Sequence, residues 1–181
     1  AWIHPFMNRA MFSSTHLDPM IKRKIEEEEA NRKAPKKTGY SWSYDENFDI
    51  FEAGLNGSNV KRLTTEKGYD AEGSYSPDGK KIVFASNRAG YTEKLSEEED
   101  KLFHQDPSYM MDLYIMNADG KNVERLTNTR GYDGGPFFSQ DGNFITWRRF
   151  APNGQSAEIY TMDLKTREEK KITNLNAMSW A

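Results

Sequence analysis

Two tyrosine–aspartate pairs, Tyr69-Asp70 and Tyr132-Asp133, stand 63 residues apart, and Glu72 follows closely on the first. When repeated units are arranged round an axis, a side chain at one phase of the repeat becomes a circle of side chains. Asp70, Glu72 and Asp133 are therefore expected to give an axial funnel a negative rim, with Tyr69 and Tyr132 beside them as ligand contacts. The alternative is that the aspartates bond nearby backbone amides and only shape their loops. Arg148 and Arg149 fall where sister repeats have Ala85-Ser86 and Ser13-Ser14. A guanidinium in such a place must be paired or exposed, so either an ion pair with a neighbouring unit or recognition of an anionic group is implied, and Arg148 is a binding candidate. His16, just before Asp18, is a further candidate for reaching a ligand.

Covalent catalysis finds less support. The Gly-x-Ser-x-Gly elbow of a common serine hydrolase is absent, and Gly57-Ser58 and Gly73-Ser74 sit in turn and strand contexts. The chain has no cysteine, which removes a disulfide framework, a thiolate metal site and a thiol nucleophile. Its 3 histidines, His4, His16 and His104, lie in different contexts, so no metal cluster is expected. His4 reads as a hydrogen-bonding structural residue and His104 as a solvated helix residue. The expectation is a chain with no catalytic residues, no metal and no cofactor.

The elements that would position these groups come from an internal repeat. DIFEAGLNGSNVKRLT from Asp49 aligns with DLYIMNADGKNVERLT from Asp112 at an offset of 63, with 7 of 16 positions identical. GYDAEGSYSPDG from Gly68 matches GYDGGPFFSQDG from Gly131 in the same register, and EIYTMDLKTREEKKIT from Glu158 is a third copy, 46 residues after Asp112. The amino-terminal AWIHPFMNRAMFSSTH pairs with GSYSPDGKKIVFASNR at an offset of 72. Each copy reads as four short strands joined by Asp-Gly or Asn-Gly turns, whose residues tolerate the positive φ of tight hairpins. Tandem four-stranded antiparallel units are propeller blades. The recurring Phe12, Phe84, Tyr114, Trp147 and Tyr160 are expected in the core between blades.

The fold class is thus all-β: a β-propeller with three four-stranded antiparallel blades and two short helical insertions. Blade 1 takes residues 1–72 with a helix near 18–33, followed by a basic loop to Tyr40. Blade 2 takes 73–135 with a helix near 96–105, opened by the capping-box pattern Ser96-Glu97-Glu98-Glu99, and blade 3 takes 136–181. Net charge is −3 with no basic stripe, which speaks against nucleic acid, and no run approaches the ~20 apolar residues of a membrane span. No signal segment is visible.

The block Ser76–Arg88 followed by Asp112–Gly120 resembles the TolB-type propeller repeat, a pattern also met in propeller domains that precede hydrolase domains. Departures are Phe6-Met7 in place of Asp-Gly and Gln140 in place of Pro. The resemblance implies a six-bladed ring, exported to the periplasm, that binds proteins or peptides at its faces and channel. Three blades would be half of that ring. Two copies closing it as a homodimer, or remaining blades on a separate segment, are the two ways to complete it. A non-catalytic scaffold for a protein, peptide or small polar ligand is the first functional expectation, and a regulatory or gating propeller of a hydrolase whose catalytic part lies elsewhere is the second. A lyase or other enzyme with its site in the channel is a third.

Overall fold

The structure, a computed structural model, describes residues 1–33 and 43–180; the basic loop to Tyr40 lies outside the described residues. Twelve strands alternate with hairpin turns: β1 (Trp2–Ile3), β2 (Arg9–Ser14), β3 (Asp49–Gly54), β4 (Lys61–Arg62), β5 (Asp70–Tyr75), β6 (Lys81–Ser86), β7 (Met110–Asn117), β8 (Glu124–Arg125), β9 (Gly131–Phe138), β10 (Phe144–Phe150), β11 (Ala157–Asp163) and β12 (Glu169–Lys171). β1 to β4 form one antiparallel sheet in chain order. β5 to β8 and β9 to β12 repeat that order, and a short parallel contact of β7 with β9, Met110 to Gly131 and Met111 to Tyr132, joins them into one sheet. The same contact recurs where Ala157 meets Met178.

The turns repeat as chemistry as well as sequence. In Ser76-Pro77-Asp78-Gly79 the Ser76 hydroxyl donates to Asp78 at 2.7 Å, and Gly79 turns the chain at φ +70°. Ser139-Gln140-Asp141-Gly142 does the same with a 2.5 Å bond and φ +74° at Gly142. His4 replaces that serine in the first sheet: its Nδ1 accepts from the amides of Phe6 and Met7, both at 3.1 Å, and its Nε2 lies 3.2 Å from the Gly79 carbonyl. The imidazole thus holds its own turn and rests on the next one.

Because strand side chains alternate between faces, a strand between two other units must be apolar on both. β6 shows it. Ile82 and Phe84 join Met11, Ile50, Tyr114 and Met116 in one cluster, while Val83 and Ala85 join Leu113, Ile145, Trp147 and Met162 in another. The core is therefore two apolar layers, one on each side of the middle unit. Phe84 and Trp147 are fully buried, and Phe12 and Tyr160 are half-buried.

The insertions fall where the charge pattern placed them. α1 (Ile21–Lys33) has no buried residue, and its exposed face carries the pairs Arg23–Glu27 and Arg32–Glu28. α2 (Ala89–Thr92), a single turn, was not foreseen. α3 (Glu97–Gln105) opens on the capping box of Ser96 and Glu99, and Phe103 anchors it on Ala89 and Met110. Among the described residues no helix is long and apolar enough to cross a membrane.

Candidate functional site

Asp70 is completely buried, accepting from Ser86 Oγ at 2.5 Å and Arg88 Nη2 at 2.6 Å. Burial pushes its carboxyl up to about 6 against the pull of Arg88. Asp133 is its counterpart 63 residues on, 1% exposed, and takes Arg149 Nε and Nη2 at 2.7 Å each. Arg149 stands at the repeat position of Ser86, so one guanidinium replaces the serine and reaches the acid directly. Both aspartates are neutralised within their own units, and neither presents a free charge. The partners are side chains, where the loop-shaping alternative would have used backbone amides.

A second acid series appears in the structure. Asp49, Asp112 and Glu158 open the third strand of each unit; Asp49 pairs with Arg62 at 2.5 Å and Asp112 with Arg125. Thr64, Thr127 and Thr173 bond these acids in turn and receive the amides of Ile50, Leu113 and Ile159 at 2.9 Å each. The recurring Asp and the final Thr of Arg-Leu-Thr carried that signal in the aligned repeats.

Glu72 lies elsewhere. It sits in the irregular part of β5, between the paired residues Ala71 and Ser74, in the left-handed region at φ +56°. Gly135, its counterpart, has φ +62°. The repeat demands this backbone at both places, and only one has the residue that adopts it freely. Strain of this kind is a pointer to a role for the side chain. The Glu72 carboxylate accepts from Tyr132 Oη at 2.7 Å, the Gly135 amide at 2.6 Å and Arg148 Nη2 at 2.9 Å. Arg148 Nη2 also donates to Tyr132 Oη at 2.9 Å. The guanidinium lies 5.2 Å from the Tyr132 ring centre and 4.8 Å from that of Trp180. Burial, then the charge of Glu72, raises the Tyr132 phenol far above its usual range, so it stays protonated and donates.

These groups line a cleft of about 700 Å³ completed by Tyr44, Asp106, Ser108, Tyr109, Phe150, Pro152 and Asn153. They arrive by several routes. Tyr132 comes from the start of β9, Arg148 and Phe150 from β10, Ser108 and Tyr109 from the single 3-10 turn that follows α3, and Trp180 from the segment after β12. Asp106 caps that turn, its Oδ1 accepting from Ser108 N at 2.9 Å and Ser108 Oγ at 2.6 Å.

Of the sequence candidates, Glu72, Tyr132 and Arg148 meet at this cleft. Tyr69 is buried behind it, its ring 5.3 Å from that of Tyr44. Asp70 and Asp133 are spent in their ion pairs. His16 is distant, its Nδ1 2.9 Å from Ser14 Oγ and its ring 4.3 Å from Phe51. Sequence reasoning did not find Tyr44, Ser108 or Phe150, which lie in insertion ends or a strand end outside the aligned blocks. Ser74 donates to the Pro136 carbonyl at 2.8 Å and Ser58 to Asn56 at 2.7 Å, and among the described residues neither hydroxyl bonds a base. Among the described residues no group of three metal-ligating side chains converges.

No family model matches the chain. It is 29% identical over 100 residues to the Tol-Pal system protein TolB of Francisella tularensis subsp. mediasiatica, covering 55% of this chain and 19% of that protein. It superposes on TolB from Acinetobacter baumannii with a TM-score of 0.53 and 26% identity, over 73% of this chain and 28% of that one. The chain is similar in sequence and fold to TolB-type β-propellers. A presumed TolB from Agrobacterium tumefaciens gives a TM-score of 0.55 at 23% identity, over 74% of this chain and 46% of the other, a likeness of fold. An uncharacterised protein of Agrobacterium fabrum is 28% identical over 113 residues, 60% of this chain and 32% of that protein. This TolB-like chain thus spans about a third of one curated relative and about a fifth of another.

Proposed function

We propose that this chain is a binding scaffold without catalysis of its own, holding a protein, peptide or small polar ligand in the cleft between Tyr44, Tyr132, Arg148 and Trp180. The observation that carries the reading is Glu72, a non-glycine residue in left-handed backbone whose carboxylate fixes Arg148 in the wall of a 700 Å³ aromatic cleft. Pockets of this size, apolar with a few fixed polar groups, are the usual form of a ligand site. The test is a thermal-shift panel of short peptides and small polar compounds on the native chain and on Ala151→Trp, which crowds the cleft while leaving Glu72 and Arg148 unsubstituted. Compounds that raise the native midpoint should lose their effect in the variant; equal shifts in both would place binding elsewhere.

The three four-stranded units β1–β4, β5–β8 and β9–β12 serve, in this proposal, as three successive blades, whose bounds lie a few residues before the 73 and 136 read from the sequence because β5 starts at Asp70 and β9 at Gly131, and they make half of a six-bladed ring in an extracytoplasmic compartment such as the periplasm. Support comes from the two apolar layers between successive units and from the match to 46% of a TolB-type chain. Exposed apolar side chains remain in the first unit, Ile3, Phe6 and Met7, and in and after the third, Ile172, Leu175 and Trp180. Apolar surface of this kind favours association. A second copy packed third unit to first at two equivalent seams would cover it and close the ring. Sedimentation should give twice the 20.9 kDa chain mass, and a stable particle of one chain mass would contradict ring closure by a second copy.

A further inference from the structure

Hydrogen-bonding capacity inside the cleft is unbalanced, and the imbalance has a sign. The Glu72 carboxylate accepts from three donors, Tyr132, Gly135 and Arg148. Arg148 is not so well matched. Its Nη2 serves Glu72 and Tyr132, but its Nε is buried with no acceptor, and the described residues give Nη1 none either. A guanidinium carries five N–H donors and accepts nothing. Leaving a buried donor of a charged group unmatched is costly, so the missing complement at this site is an acceptor.

The arginine is also built into place. The rings of Tyr132 and Trp180 pack beside the guanidinium, their centres 5.2 and 4.8 Å from its carbon. Gly135 completes the seat, since a Cβ at that position would collide with Nη1. Cations have less to meet. Asp106 is exposed and its Oδ1 already caps the following turn, so its attraction is screened by water. Around the polar centre stand Tyr44, Tyr109, Phe150 and Pro152, an apolar wall suited to a ring or a branched chain.

We propose that the cleft recognises a ligand in which a carboxylate lies beside an aromatic or apolar group, with Arg148 receiving the carboxylate; this rests on reading the cleft as a binding site. A free aromatic acid and the carboxyl end of a peptide share that chemistry. The experiment is calorimetric titration of the full chain with four probes: N-acetyl-L-phenylalanine, its neutral amide, phenethylammonium, and a hexapeptide ending in Phe with a free carboxylate. The free acid should bind at least about tenfold more tightly than the amide or the ammonium, the difference expected of a charge-assisted hydrogen bond. A further gain for the hexapeptide would assign the source to peptide ends, and no gain to small acids. Arg148→Gln should bring acid and amide to the same affinity, and Arg148→Lys should restore part of the gap. The acid-to-amide ratio on the unaltered chain stands even where a variant folds poorly. Binding of the amide or the ammonium as tightly as the acid overturns the carboxylate proposal and leaves the cleft as a site. Binding of none of the four overturns the proposal, while the Ala151→Trp comparison decides the fate of the cleft itself.

Discussion

Substituting Glu72 by both alanine and glycine separates the backbone at that position from the carboxylate it carries. Either change removes the acceptor from Arg148, whose side chain is 11% exposed, and from Tyr132 and the Gly135 amide. Breaking a fully buried pair costs about 3–5 kcal/mol. Since the Glu72 side chain is 23% exposed, water replaces part of the loss, and the lost pairing alone costs about 2 kcal/mol in either variant. The two differ through φ. Alanine in the left-handed region costs about 1–2 kcal/mol that glycine avoids. Glycine gives back about 0.4–1 kcal/mol through the greater freedom of its unfolded chain. Glu72→Gly should thus be more stable than Glu72→Ala by about 0.5–1 kcal/mol, the reverse of the ordinary order inside a strand. Urea unfolding at pH 7, followed by tryptophan fluorescence, measures both. Alanine equal to or better than glycine would refute the repeat-imposed left-handed turn, and an alanine variant as stable as the parent would refute the role of the carboxylate in seating Arg148.

Three further outcomes follow from burial and charge. Phe84, fully buried between the first two units, should cost about 3–5 kcal/mol when cut to alanine, read by urea unfolding. Asp70, raised to about 6 by burial, binds a proton in the folded chain that the unfolded chain releases near pH 4. Stability should therefore fall, by on the order of 2–3 kcal/mol, as pH rises from about 4 to about 6, and Asp70→Asn should lack that part of the slope. Glu99 has the opposite sign: the Ser96 amide and Arg130 hold it down to about 2, so the staple at the start of α3 persists below pH 4.5 and is lost only as pH falls towards 2. The Ser96 amide resonance should titrate with that low midpoint and should not titrate in Glu99→Gln.

The strands were legible because the repeat fixes them three times over. A hairpin turn such as Asn56-Gly57 or Asp119-Gly120 is ambiguous alone and decisive in register. Helix α3 was legible through its capping box, a local signal, and α2 was missed because one turn has no periodicity to detect. The polar residues were only half legible. Repeat position identified Asp70 and Asp133 as equivalent, but not the arginines that neutralise them, because Arg88 and Arg149 sit at different phases of their units. Glu72 opposite Gly135 was visible in the alignment as an acid where its sister has glycine, and that mismatch marks the left-handed turn. Tyr44, Ser108 and Phe150 reach the cleft from outside the aligned blocks, where the repeat gives no register.

A crystallographic soak of the chain with a library of small aromatic and polar fragments tests most directly whether the cleft is the place of binding. Fragments should gather between Tyr44, Phe150 and Trp180, with acidic ones placing an oxygen within hydrogen-bond reach of Arg148. Fragments that settle elsewhere while the cleft takes none would contradict the account.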